Sequence, residues 1–153
     1  MQWRGGSKEL PTFVTELLSH CCQGGETREG ALTLTLSGDL GAGKTTFVQA
    51  LAAQLGVREV VRSPTFVIQK VYELPHDSTW AARCGLTHLA HIDAYRLSAG
   101  SELKQLGFSR LVHDRSTCIV LEWPEHVSAV LPDEYVALTF TVLDEHTRQI
   151  VLT

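Results

Sequence analysis

The sequence has no C-x-x-C pair, no apolar run approaching the length of a membrane span, and no surplus of basic charge. Cys21, Cys22, Cys84 and Cys118 fall outside zinc-ligand and redox-motif spacings. Reduced thiols in an intracellular protein are therefore expected, and a zinc or disulfide framework is not. Without a membrane-length apolar stretch or an apolar leader, the expected location is the cytoplasm, with no membrane partner. Lys and Arg number 13 against 17 Asp and Glu, a net charge of −4. That balance lacks the basic footprint of a dedicated nucleic-acid binder. Internal repeats and low-complexity tracts are also missing.

What is present is globular. Apolar residues make up 44% and charged residues 20% of 153 positions, enough for one sizeable core, and the expectation is a single domain over residues 1–153. Gly38-Asp39-Leu40-Gly41-Ala42-Gly43-Lys44-Thr45 satisfies G-x-x-x-x-G-K-[ST] at every required position. The flanks agree with it. Leu and Thr alternate over Ala31–Ser37, which predicts a strand with one face more buried than the other. Phe47, Val48, Leu51, Ala52 and Leu55 make one face of a helix that Gly56 can end. The loop glycines allow successive backbone N–H groups to turn toward an anion, and the helix adds its positive end. Lys44 supplies a point charge for phosphate oxygens, and Thr45 a hydroxyl for Mg²⁺.

Before that loop, residues 1–9 read as loosely ordered. Pro11 suits a first helical position, followed by an apolar stripe through Phe13, Val14, Leu17, Leu18 and Cys21. Residues 24–30 are a polar, flexible link. After the loop, Ser63-Pro64-Thr65 reads either as a plain turn or as a switch-like segment whose Thr65 senses a terminal phosphate. Phe66–Tyr72 is β-branched and aromatic and predicts a strand. Residues 74–87 form a long loop with a short helical turn near Trp80, either functional or mobile. His88–Asp93 is an apolar strand ending in an acid, with His91 and Asp93 on one face. Those two residues are too few for a zinc site. Ser101–Gly107 predicts a short helix, with another turn through 111–113. Cys118–Leu121 is a continuous apolar run, a strand buried on both faces, and it ends at Glu122. A carboxylate there needs a cation or donors to compensate it. Trp123 fits a core position and a ligand contact equally. A helix over Glu125–Leu131 and a closing antiparallel pair, Tyr135–Leu143 and Gln149–Leu152, complete the pattern. The predicted fold class is α/β: a P-loop NTPase-like three-layer fold whose mostly parallel central sheet carries an antiparallel C-terminal edge hairpin.

Gly38–Phe47, Ser63-Pro64-Thr65-Phe66, His91-Ile92-Asp93-Ala94-Tyr95-Arg96 and Glu122-Trp123, in this order, resemble the bacterial TsaE (formerly YjeE) family. The resemblance implies a slow, Mg²⁺-dependent ATPase that works with the TsaD–TsaB pair in threonylcarbamoyl modification of the tRNA adenosine beside the anticodon, with tRNA met only through that complex. It further implies that Gly41, Ala42, Gly43, Lys44, Thr45 and Thr46 hold the phosphates of ATP, and that Thr45 and Glu122 hold Mg²⁺. Asp93 would position a water, with Lys44 and Asp93 as the catalytic pair. Thr65 belongs to the switch, Trp123 lies near the nucleotide, and Thr12 is the best match for a Thr beside the adenine. The link 24–30 and the loop 74–87 are longer than the family pattern.

A small-molecule or nucleotide kinase uses the same phosphate loop and is the alternative reading. Such kinases carry an arginine-rich lid, whereas Arg96, Arg110 and Arg115 are scattered here. A GTP-dependent switch would need an N-K-x-D element, and none is present. A nucleotide-binding assembly factor without turnover differs from the ATPase only in kinetics.

Overall fold

The computed structural model describes residues 1–23 and 28–153. Most of the predicted link 24–30 lies outside the described residues. Seven strands form one sheet: β1 (Gln2–Gly5), β2 (Leu32–Ser37), β3 (Gln69–Glu73), β4 (His88–Asp93), β5 (Thr117–Glu122), β6 (Val136–Val142) and β7 (Arg148–Leu152). Their spatial order is β1-β7-β6-β2-β5-β4-β3. The central strands β6, β2, β5 and β4 run parallel, and the outer pairings β1–β7, β6–β7 and β3–β4 are antiparallel. The expected α/β class and C-terminal hairpin are both present. The hairpin is not the edge, however, because β1 adds a further strand outside β7.

Helices α1 (Leu10–Cys21), α2 (Lys44–Gln54) and α3 (Thr79–Cys84) belong to one core layer; α4 (Gly100–Gln105) and α5 (Phe108–Val112) belong to the other. Alternation along β2 and β5 divides the two layers. Leu34, Leu36 and Val120 join Phe13, Leu17, Phe47 and Leu51, while Ile119 and Leu121 join Leu103 and Phe108. Thr33 and Thr35 are each only 2% exposed. The expectation of one better-buried face on β2 is therefore corrected: a central parallel strand is covered on both sides, whatever its polar alternation suggests.

Four further expectations are revised. Residues 1–9 are not loose, since Trp3 sits opposite Ile150 in the β1–β7 ladder and its ring lies 5.5 Å from that of Phe13. The β3 strand begins at Gln69 rather than Phe66, because Pro64–Ile68 is a turn closed by Val67 N–H to Pro64 O. Phe66 and Val67 are left 83% and 66% exposed, and Ile68 takes φ +68°, a rare conformation for a β-branched residue. The helix expected over 125–131 is instead two 3₁₀ turns, Pro124–His126 and Ser128–Val130. Val127 between them is buried with non-helical angles, φ −134° and ψ 23°.

The fourth revision concerns the thiols. Cys22, which caps α1, is disulfide-bonded to Cys84 at the end of α3, with Cα atoms 5.1 Å apart. The expectation of four reduced cysteines is thus corrected: folding brings together residues 62 apart in sequence, a pairing no local motif signals. The loop 74–87 carries a defined helix, capped by Ser78 Oγ accepting from Ala81 N–H and ended by Gly85. Cys21 and Cys118 remain free, and burial pushes their thiols up to about 11 and about 12. Among the described residues no helix is long and apolar enough to cross a membrane.

The disulfide is directly testable. Alkylation of the denatured, unreduced protein should label Cys21 and Cys118 alone. Cys22→Ser should lower the unfolding free energy by about 2–4 kcal/mol, the usual effect of opening a long covalent loop, read by chemical denaturation with and without reductant.

Candidate functional site

Parallel register places the chemistry at one end of the sheet. Leu36 of β2 pairs with Glu122 of β5, and Asp93 of β4 pairs with the same Glu122. The carboxyl ends of these three strands therefore lie level. In open α/β sheets, ligands gather outside that edge. From β2 the chain turns through Gly38–Gly43 directly into α2. Gly38 has φ +141°, and a Cβ there would stand 2.5 Å from Phe140 O, so a side chain is excluded by both conformation and space. Gly43 has φ +100° at the head of α2. The positive end of an eleven-residue helix therefore opens at this loop.

Lys44 is 5% exposed. Its ammonium donates to Gly38 O at 2.5 Å and Asp39 O at 3.0 Å, and lies 4.0 Å from the Trp123 ring centroid. Burial lowers its pKa, opposed by the nearby carboxylates of Glu122, Glu125, Asp93 and Asp39. The loop thus holds its own lysine on two neutral carbonyls, in an environment that favours closer contact with negative charge.

Thr45 and Glu122 meet. The Thr45 hydroxyl donates to Glu122 Oε1 at 3.2 Å, with Oε2 at 3.4 Å. Glu122 is 3% exposed and accepts a further hydrogen bond from His91 Nε2 at 2.8 Å. A hydroxyl and a carboxylate are hard oxygen donors suited to Mg²⁺, which takes its remaining ligands from phosphate and water. Among the described residues no three His, Cys, Asp or Glu side chains converge on one point. The donor set fits a cation held jointly with a phosphorylated ligand better than a metal caged by protein alone.

Asp93 occupies the neighbouring strand tip. Its Oδ2 accepts from Ser63 Oγ at 2.8 Å and Thr65 Oγ1 at 2.9 Å, and its Oδ1 accepts from Tyr95 N–H at 3.0 Å. Both hydroxyls are thus latched to a buried carboxylate beside the loop. Ser63 acts with Thr65 here, a partnership that only proximity to Asp93 reveals. Trp123 packs against Tyr95, with centroids 5.0 Å apart, and against His126 at 5.8 Å. It roofs the Lys44 ammonium, so its position has both packing and site character.

Beside the glycine-rich loop lies a cavity of about 240 Å³, bounded by Trp3, Leu10, Gly41–Gly43, Thr46, His146 and Arg148. Ala42 and Thr46 belong to that wall. Thr12 does not; it is exposed on the first turn of α1, two residues and so about 200° around the helix from the cavity-lining Leu10. Sequence reasoning missed Trp3, His146 and Arg148 because they come beside the loop only when β1 meets β7 and the turn before it, segments at opposite ends of the chain.

Comparison with known proteins converges on one family. Residues 7–150 match the model for "Threonylcarbamoyl adenosine biosynthesis protein TsaE". The tRNA threonylcarbamoyladenosine biosynthesis protein TsaE of Bacillus subtilis is 33% identical over 153 residues, covering 100% of this chain and 85% of the relative. The Treponema pallidum protein of the same name is 34% identical over 128 residues, covering 84% and 86%. That of Streptomyces coelicolor is 44% identical over 99 residues, covering 64% and 60%. The crystal structure of Bacillus subtilis YdiB superposes with a TM-score of 0.70 at 29% identity, covering 99% of this chain and 83% of that one. With its fold and nearly its whole length in agreement, the chain belongs to the TsaE family of tRNA threonylcarbamoyladenosine biosynthesis proteins.

Proposed function

We propose that this protein binds ATP with Mg²⁺, hydrolyses it slowly, and through that cycle serves a TsaD- and TsaB-like pair in threonylcarbamoyl modification of tRNA. The observation that carries the reading is the contact between Thr45, at the head of α2, and the buried Glu122 at the tip of β5. It sets two hard oxygen donors beside a loop shaped for phosphate.

In this reading the amides of Gly41–Thr46 and the Lys44 ammonium bind the triphosphate. Lys44 exchanges its neutral carbonyl partners for phosphate oxygens, a stronger, charge-assisted contact. Thr45 and Glu122 would hold Mg²⁺, which when bound neutralises phosphate charge. Asp93 orients water while keeping Ser63 and Thr65 in place, so the 63–65 segment reports the state of the site. Trp123 shields Lys44 from solvent, and the cavity lined by Leu10, Thr46 and Arg148 accommodates the rest of the nucleotide. Slow turnover alone accords with the scattered arginines, which leave no evident group to neutralise charge in the transition state. Contact with tRNA is indirect, through the partner proteins.

ATP consumption measured with and without the TsaD–TsaB pair tests the reading: turnover should be low alone and rise with the pair. Failure to bind ATP at millimolar concentration with Mg²⁺ would overturn it. Lys44→Ala should weaken ATP binding about 10- to 100-fold, the scale of losing a charged hydrogen-bond donor; wild-type affinity and turnover would displace the site. Glu122→Ala should weaken binding in Mg²⁺ far more than in EDTA, and equal losses would remove Glu122 from the metal. Asp93→Ala should speed amide exchange over residues 63–68 and slow hydrolysis about 100-fold. Unchanged exchange there would separate Asp93 from the switch segment.

A further inference from the structure

His91 lies wholly within the protein, at 0% exposure, on the sheet face it shares with Leu89, Val120, Leu34 and Leu36. Those neighbours are aliphatic, and packing alone would be met by one more aliphatic side chain. The imidazole instead leaves Nδ1 buried with no hydrogen-bond partner among the described residues, an unfavourable arrangement in a core. Its other nitrogen has a single partner, Glu122 Oε1, at 2.8 Å. A carboxylate only accepts, so Nε2 carries the proton of that bond. His91 stands two residues before Asp93 on β4, and Asp93 pairs with Glu122. The ring therefore spans from one strand to the carboxylate at the tip of the next.

The two oxygens of Glu122 are held unequally. Oε1 receives the short bond from His91 and the 3.2 Å contact from Thr45, whereas among the described residues Oε2 has only the 3.4 Å contact with the Thr45 hydroxyl. We propose that His91 is a positioning residue for the metal site: its Nε2–H anchors Oε1 of Glu122, so that the other carboxylate oxygen is presented beside the Thr45 hydroxyl to a divalent cation. The proposal rests on the ATP–Mg²⁺ reading of that pair. An outer partner that orients a ligating carboxylate governs metal affinity without touching the metal.

The experiment measures ATP affinity in Mg²⁺ and in EDTA, and Mn²⁺ affinity of the ATP complex by electron paramagnetic resonance, for wild type, His91→Leu and His91→Gln. Leucine removes the donor; glutamine keeps an N–H at comparable reach. His91→Leu should lose about tenfold or more in Mn²⁺ affinity and in the Mg²⁺-dependent part of ATP binding, with EDTA affinity unchanged. His91→Gln should recover most of that loss. If His91→Leu fails to fold, His91→Asn, whose amide is too short to reach Oε1, takes its place with the same expected losses. An unaltered ratio of Mg²⁺ to EDTA affinities in the donorless variant overturns the role of His91. Proportional losses under both conditions without rescue by glutamine overturn it equally, leaving a packing residue. A wild-type protein whose ATP affinity ignores Mg²⁺ overturns the metal reading first, and this proposal with it.

Discussion

The parallel pairing of β4, β5 and β2 is the constraint on which the rest of this molecule depends. Because Asp93, Glu122 and Leu36 share one register level, two acids and the glycine-rich turn emerge together at the strand ends. Each acid alone would be a costly burial. Together with the donors and the lysine nearby, they are compensated: Glu122 by Thr45 and His91, Asp93 by two hydroxyls and an amide. A slip of one residue in either ladder would turn these side chains to the opposite face and leave the loop without its acids.

Two polar clusters stand side by side at this edge, joined only by the β4 backbone between His91 and Asp93. Thr45 links α2 to β5, His91 links β5 to β4, and Asp93 links β4 to the 63–65 segment. Phe66 and Val67 stand exposed just beyond the 63–65 segment. Backbone strain gathers at the same place: Ile68 and Trp123, the two non-glycine residues with positive φ among those described, follow the 63–65 segment and Glu122 respectively. Such conformations persist only where surrounding contacts enforce them, and they concentrate at working sites.

At the far ends of α1 and α3, the Cys22–Cys84 bond ties the two helices. The N-terminal turn of α1 contributes Leu10 to the cavity beside the glycine-rich loop, so one helix joins the covalent clamp to the side of the molecule that carries that loop. β1 completes that side. Short and only half-buried, it pairs beside the last strand and brings Trp3 to the cavity wall.

Much of this was legible in the amino-acid order because its causes are local. The glycine spacing followed by Lys44 and Thr45 specifies a loop whatever surrounds it, and apolar runs ending in Asp93 and Glu122 specify buried strands with acid tips. The period of Phe47, Val48 and Leu51 specifies a helix. Sequence alone thus determined the class of fold and which segments carry the glycine-rich turn and the two acid-tipped strands. Only tertiary structure decided what depends on distant partners: that residues 2–5 join the sheet, that Cys22 meets Cys84, that Thr33 and Thr35 are covered, that Thr12 faces away from the cavity, and that His91 reaches Glu122. The physical reason is the same in each case, since these outcomes arise from contacts between segments far apart along the chain, and no local spacing records which segments will meet.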